Sequence, residues 1–489
     1  MKHIAIVPGG KRWPLTGILF GCIVGAMALN ILGCSNPSLK PWHTERLTAE
    51  FTTRKLDEIR TFDDYRQLED RLFAQLEEKV YARTETGPEF ELDRYSSGSA
   101  ADPQHRKPNW NRTYELTADS PIGGVLLLHG MSDSPYSLRA LGKTLNQHNY
   151  WVIGLRLPGH GTAPSGLKYI KWEDMAAVVR LCIAHLTSKV GQKPIHIVGY
   201  STGAPLALNY SLDALEGIAS PLPASLVLIS PAIGVHPAAG LAGLKNALSR
   251  VPGLGGLAWL SIQPEFDPYK YNSFATNAGA QVHRLTREVD RRIPAQAQSG
   301  ALKLFPPTLV FKSTVDATVL PNAVVDSLLK PLGPHGHELV LFDLNRYAAK
   351  TNLLIDDPAP LTDRLMADRN LPFTLTLVTN ENPESFQMVA RRKAPLSNDA
   401  SETEPLNLAW PTGVISLSHV ALPFPPDDPL YGQRPPNKDK VLFLGQMAIQ
   451  GERGLLKISY DWLVRLRHNP FYDYLEGRTL QWVDSVNQR

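Results

Sequence analysis

Ser201 lies in Gly199-Tyr200-Ser201-Thr202-Gly203, directly after the apolar run Ile195-His196-Ile197-Val198. A G-x-S-x-G segment between a strand and a helix can lift a serine hydroxyl clear of a sheet, because small residues on either side permit a sharp turn and close backbone neighbours. A serine hydroxyl is a weak nucleophile at neutral pH. To attack a carbonyl carbon it needs a histidine to take its proton, a carboxylate to orient that histidine, and N–H donors for the oxyanion that forms.

The chain offers candidates for each role, in the order serine, acid, histidine. His419 follows Val414-Ile415-Ser416-Leu417, which reads as a strand, and precedes Val420-Ala421-Leu422-Pro423-Phe424; a loop after a late strand is a suitable place for the base. His335, His337 and His468 lack that context, and His468, set among Arg465, Arg467 and Asn469, reads as a solvated helix face. Asp316 follows the strand Leu309-Val310-Phe311 and the turn Lys312-Ser313-Thr314, and Asp343, after Glu338-Leu339-Val340-Leu341-Phe342, is the alternative acid. Thr202 N–H, next to the nucleophile, is one expected oxyanion donor. Met131 N–H, in the loop after Val125-Leu126-Leu127-Leu128, is the other. His129 and His160 read as loop-stabilising residues.

These residues need a sheet to hold them. Short apolar runs at Val125–Leu128, Trp151–Leu155, Ile195–Val198, Leu226–Ile229 and Leu309–Phe311 alternate with helical segments, among them Trp172–Val190. That alternation predicts an α/β fold with a mostly parallel central sheet flanked by helices. The pattern breaks between Pro231 and Pro306, which predicts a cap of about 232–305 over the carboxyl ends of the strands, where open sheets of this kind bind ligands. Trp259, Phe266, Tyr269 and Tyr271 in it suit either an acyl chain or the cap's own core. A second insertion is expected at about 345–404, with an extra strand at Phe373–Val378. Residues 34–108 read as an amino-terminal extension and linker. Within it Tyr65, Leu68, Leu72, Leu76 and Val80 recur at helical spacing, as a helix packed on the main domain of 109–489.

Composition narrows the partners. A net charge of +3 over 489 residues, with no basic stripe interleaved with aromatics, argues against nucleic acid. Cys22, Cys34 and Cys182 form no C-x-x-C pair, so neither a zinc site nor a redox motif is indicated. Lys2, Lys11 and Arg12 precede an apolar stretch from Trp13 to Gly33, so residues 1–33 read as a secretory signal peptide or a single membrane anchor. Its end, Ile31-Leu32-Gly33-Cys34, resembles a bacterial lipobox, with Leu32 in place of the usual small residue. The resemblance implies lipidation of Cys34 and an extracytoplasmic lipoprotein of the bacterial envelope. Ser35, where an aspartate would direct inner-membrane retention, favours the outer membrane.

His129-Gly130, Pro158-Gly159-His160-Gly161, Gly199 to Gly203, Asp316 and His419 together resemble the α/β-hydrolase superfamily. Within it they are most similar to the monoacylglycerol lipase-like and serine aminopeptidase-like carboxylesterases. The resemblance runs from about Gly123 to Leu320 and resumes around His419. It implies hydrolysis of a small-molecule acyl ester through an acyl-serine intermediate, with no cofactor and no metal. An acyltransferase or peptidase using the same triad, and a non-catalytic envelope lipoprotein on a hydrolase fold, are the alternatives.

Overall fold

Strands in which every side chain is apolar can be buried on both faces, and this chain builds the middle of one sheet from them. The computed structural model describes residues 38–234, 255–316, 321–348, 357–397, 402–435, 442–445 and 466–488. The apolar amino-terminal stretch, Cys34 and cap residues 235–254 lie outside the described residues. Residues 40–489 form one compact unit.

The strands are β1 (Tyr114–Leu116), β2 (Gly123–Leu128), β3 (Tyr150–Leu155), β4 (Ile195–Tyr200), β5 (Ser225–Ile229), β6 (Trp259–Ser261), β7 (Phe274–Ala275), β8 (Thr308–Ser313), β9 (Glu338–Phe342), β10 (Thr374–Asn380), β11 (Gln387–Lys393) and β12 (Glu402–Ala409). The main helices are α1 (Phe62–Lys79), α2 (Arg139–Gln147), α3 (Trp172–Val190), α4 (Gly203–Leu215), α5 (Thr276–Ser299), α6 (Ala359–Ala367) and α7 (Tyr472–Asn487). Among the described residues, ten strands form one sheet in the order β1-β3-β2-β4-β5-β8-β9-β10-β11-β12, and β6 and β7 form a separate pair. The stretch from β3 to β10 is parallel, and β1, β11 and β12 run antiparallel to their neighbours. This is a mostly parallel sheet flanked by helices, as the alternation of strands and helices predicts.

The period of two along each strand divides the core. Leu126, Leu128, Ile197, Leu226, Leu228 and Val310 meet side chains of α1, α3, α4, α5 and α6 on one face. Val125, Leu127, Val152, Val198, Val227 and Leu309 meet α2 and α7 on the other. The strand order reverses between β2 and β4: the chain goes from β2 to β3 on one side, then returns to β4 on the other. The loops leaving those two strands therefore open a crevice between them.

Four features differ from the sequence-based expectation. The second half of the expected cap is α5, a crossover helix between β5 and β8. Its Leu285, Val289 and Ile293 are buried in the main core, and it packs on α4. The segment 345–404 is not set apart from the sheet as an insertion: its expected strand is present as β10, and β10, β11 and β12, the last running on to Ala409, extend the edge that β9 would otherwise leave open. Val414–Leu417 is an extended loop and not a strand, held by the Asn345 N–H donating to Ile415 O at 2.7 Å. The polar stretch expected as a linker is packed, with Ser96, Ala101 and Asp102 all buried. Among the described residues no helix is long and apolar enough to cross a membrane.

Candidate active site

Ser201 sits at the carboxyl end of β4 with φ +51°, a left-handed conformation that non-glycine residues adopt only when their surroundings enforce it. The surroundings are closely packed. A Cβ on Gly199 would fall 2.6 Å from the Ala204 Cα, and one on Gly203 would fall 2.1 Å from Leu128 O, so neither position admits another residue without displacing backbone. The Ser201 N–H donates to Ile229 O at 2.9 Å, and Ser201 O accepts from the N–H groups of Ala204 and Ala232, both at 3.1 Å. The turn is thus tied both to the start of α4 and to the loop after β5.

The hydroxyl meets a histidine from the far end of the chain. His419 Nε2 is 3.0 Å from Ser201 Oγ, and His419 Nδ1 is 2.7 Å from Asp316 Oδ2. Asp316 follows β8. The loop bearing His419 is fixed to the same strand by Ser313 Oγ, which donates to Leu417 O at 2.9 Å. Ser418 Oγ donates to Leu466 O at 2.6 Å, closing the other side. Asp343 is not part of this row: it takes a two-pronged ion pair from Arg346 and a hydrogen bond from Thr379 Oγ1. His468 is also placed differently from the expected solvated helix face. It is buried in a loop together with Arg467 and Asn469.

Asp316 has a second partner, a lysine, that its sequence surroundings do not announce. Lys312 Nζ, fully buried at the end of β8, donates to the same Oδ2. Burial opposes the charge on Asp316, but hydrogen bonding and charge attraction from His419 and Lys312 outweigh it and hold the carboxyl well below the usual carboxylate range. Because the folded pKa is depressed, the stabilisation is complete above the unfolded carboxylate value of about 3.9 and is lost as pH falls through the folded value. The loss of unfolding free energy caused by Asp316→Asn is therefore expected to be largest near neutral pH and to shrink below about pH 4. Urea denaturation of both proteins across that range checks this, and a constant difference from pH 3 to pH 7 would contradict it.

The two expected oxyanion donors flank the serine. A Cβ on Gly130 would lie 3.1 Å from the Ser201 Cβ, so the backbone entering Met131 passes directly against the nucleophile. Thr202 occupies the position immediately before α4, where amide N–H groups have no helical acceptor. Among the described residues neither the Met131 nor the Thr202 N–H has a hydrogen-bond acceptor.

The loop carrying Met131 is supported from two directions. The first is the cap segment: the Tyr271 N–H donates to Ser132 O at 2.8 Å, and Lys270 Nζ reaches Asp133 Oδ1 at 3.2 Å. Tyr269 stacks on Tyr136 with ring centres 4.0 Å apart, and Phe266 belongs to the same buried group with Phe424 and Tyr431, while Trp259 and Tyr271 join the main core, so these aromatics pack the cap segment against the rest of the protein. The second is the amino-terminal extension. Glu50 accepts from both Arg156 Nη1 and Nη2 and from the Gly159 N–H at 2.8 Å, while Tyr65 and Glu69 flank the same guanidinium. Arg156 also donates to His160 O at 3.0 Å, and His160 Nε2 lies 3.2 Å from Met131 Sδ. Burial opposes the charge of Arg156, and attraction from Glu50, then Tyr65 and Glu69, more than restores it. His129 accepts from the Leu157 N–H at 3.1 Å, joining the two loops.

This arrangement can generate an alkoxide and stabilise a tetrahedral oxyanion. Among the described residues no group of His, Cys, Asp and Glu side chains could hold a metal ion. Residues 119–343 match the family model described as serine aminopeptidase, S33, a stretch that contains Ser201 and Asp316 and ends before His419. Over 204 residues the chain is 27% identical to a thermostable monoacylglycerol lipase of Bacillus sp. (strain H-257), covering 42% of this chain and 74% of that protein. Two solved structures are also similar. One belongs to a study of the metagenome-derived lipolytic enzymes LipS and LipT: 20% identity, TM-score 0.39, 47% of this chain and 87% of that one. The other is the monoacylglycerol lipase of Paleococcus ferrophilus: 17% identity, TM-score 0.37, 47% of this chain and 88% of that one.

Proposed function

We propose that this α/β-hydrolase, whose residues 119–343 belong to the serine aminopeptidase-like S33 family, is a serine hydrolase that cleaves carboxylic esters while tethered to a membrane by its amino terminus. The observation that carries the reading is the unbroken row Ser201 Oγ, His419 Nε2, His419 Nδ1, Asp316 Oδ2, with separations of 3.0 and 2.7 Å at its two hydrogen bonds. In it His419 takes the Ser201 proton as Oγ attacks the ester carbonyl. Asp316 holds the ring in the tautomer that leaves Nε2 free to accept, and stabilises the imidazolium that forms. The Met131 and Thr202 N–H groups receive the oxyanion. His419 then protonates the leaving alcohol, activates a water against the acyl-serine, and returns the proton to Ser201 as the acid product departs.

An ester substrate is supported by the monoacylglycerol lipase named among the relatives. Transfer to an alcohol or amine, and peptide cleavage, use the same steps as far as the acyl-serine and differ in the leaving group or the acceptor. The tether rests on the basic residues, the apolar stretch and the lipobox-like Ile31-Leu32-Gly33-Cys34, which support a position outside the cytoplasm, with the outer membrane favoured.

Mass spectrometry after fluorophosphonate treatment tests the reading on the chain starting at Ser35. A single adduct on Ser201 is expected, absent in Ser201→Ala and greatly slowed in His419→Ala. A folded wild-type protein that takes no adduct would sink the serine hydrolase proposal. Product analysis with a competing alcohol or amine then separates hydrolysis from transfer.

A further inference from the structure

We infer that the face formed by residues 46–55 and 168–171 is a docking surface for an anionic phospholipid bilayer, lying at the same end of the sheet as Ser201. The inference rests on the tethered reading of the amino terminus given above. From Cys34 to Lys40 the chain has six residues to traverse, at most about 20 Å when fully extended. If Cys34 carries a lipid, or if a membrane span ends at Gly33, Lys40 is held within about that distance of the bilayer surface. The tether therefore keeps the part of the body that begins at Lys40 close to the lipid.

The surface found there has the chemistry of an interfacial site. The one-turn helix Pro41–Thr44 packs on the turn Pro164–Lys168. Beside it a groove of about 300 Å³ is lined by Arg46, Arg54, Lys55, Lys171 and Tyr169. The two carboxylates in its lining are turned to other work: Glu50 holds Arg156 and the Gly159 N–H, and Asp174 accepts from the Thr53 N–H at 2.7 Å. Glu45, nearby on the chain, is paired with Arg83, and Asp57 and Glu58 do not line the groove. With Glu50 ion-paired to Arg156, the four cations of the lining face the single buried carboxylate of Asp174, and the groove is net cationic.

The apolar component is next to them. Tyr169 keeps 46% of its surface exposed, with the Arg46 guanidinium 4.8 Å from its ring centre and Lys168 Nζ 5.6 Å from it. Lys168 also stands 5.9 Å from the ring centre of Trp259, whose neighbour Leu260 is 49% exposed. A tyrosine with an aliphatic residue, ringed by lysines and arginines, matches the boundary between acyl chains and anionic headgroups. The loop bearing Tyr169 leaves the carboxyl end of β3. Parallel β2 alone separates β3 from β4, whose carboxyl end carries Ser201. Docking on this face brings the catalytic end of the sheet to the lipid, where a water-insoluble ester resides.

Co-sedimentation with vesicles tests the surface without the tether, using the chain that starts at Ser35, since residues 40–489 form one compact unit. One set of vesicles is phosphatidylcholine alone; the other contains about a third phosphatidylglycerol. Stronger partition onto the anionic set is expected, falling as salt is raised. Each cation near such a surface contributes roughly a fivefold factor, so the double reversal R46E/K171E should lower partition by about 25-fold or more. Tyr169→Ser should weaken binding further at high salt, where the apolar contact dominates. Both reversals are at exposed positions, so melting curves should stay close to wild type. Equal binding to the two vesicle types, binding that survives R46E/K171E, or no binding to either set overturns the docking surface. Extraction of the full-length chain from bacterial membranes separately tests the tether: release by high salt alone defeats that reading, whereas a requirement for detergent supports it. Fluorophosphonate labelling of the same R46E/K171E protein is expected to match wild type, so a failure of catalysis is distinguishable from a failure of docking.

Discussion

Alanine at His419 is expected to lower kcat for hydrolysis of a soluble short-chain ester by about 10⁴ or more while leaving the protein folded. The magnitude follows from the roles proposed for the residue. Its Nε2, 3.0 Å from Ser201 Oγ, is the acceptor for the serine proton, and among the described residues no other histidine contacts Ser201 Oγ. His129 and His160 have their ring nitrogens within hydrogen-bonding distance of loop groups, and burial lowers the basicity of both, His160 to about 4. The His419 side chain keeps 10% of its surface, so water can enter the space that truncation leaves, and Lys312 remains as a partner for Asp316; a melting curve checks that the variant stays folded. Because the serine and the histidine act as one unit, the double variant Ser201→Ala/His419→Ala should be no slower than either single one. Steady-state kinetics on the three variants provide the check. Residual activity within tenfold of wild type in His419→Ala would place the base elsewhere.

The second large effect concerns stability and comes from the amino-terminal extension. Glu50→Ala is expected to cost about 3–5 kcal/mol of unfolding free energy, because it removes a carboxylate gripping both nitrogens of a fully buried arginine. Exposed ion pairs are worth a fraction of that. The cost belongs mostly to a buried charge left with Glu69, 3.4 Å away, as its remaining carboxylate, so replacing Arg156 by methionine in the same protein should recover part of it. A double-mutant cycle in urea measures the coupling; additive losses from Glu50→Ala and Arg156→Met would show that the two do not act together. Since the same guanidinium fixes the loop that touches Met131, Glu50→Ala should also lower kcat more than it raises KM.

The parts of this molecule that were legible in its sequence are those decided by neighbours along the chain. The serine turn reads directly, since Gly199 and Gly203 are small for a steric reason that operates within five residues. The parallel strands read well because burial on both faces leaves unbroken apolar runs. The second insertion was harder: whether Thr374–Asn380 joins the sheet depends on an open edge at β9, which no local pattern records. The strand expected before His419 failed for the same reason, as Val414–Leu417 is apolar enough for a strand but has no ladder to join. His468 was misread because charged flanking residues normally face water. Here Arg467 turns inward and lies 3.8 Å from buried Asp267. Of the candidate acids, position after a strand could not separate Asp316 from Asp343; the separation comes from Arg346 and Thr379, which engage Asp343, and from Lys312 and His419, which converge on Asp316. The support given by Glu50 was invisible, because its partner Arg156 lies 106 residues away.

The three strands added at the sheet edge also bear on when the protein becomes active during folding. Asp316 and His419 are 103 residues apart in sequence, and most of that interval is β9 to β12. Closing so long a loop carries an entropy cost that is repaid only once the intervening strands have paired. The histidine is therefore expected to meet its partners only after the non-local pairing of the late strands. Recovery of serine reactivity after dilution from denaturant should accordingly lag behind recovery of the sheet signal, and reactivity that returns first would contradict this order. On that order, a chain still lacking its final edge strands would have its serine turn without a base beside it, and would be inert towards acyl groups while it is incomplete.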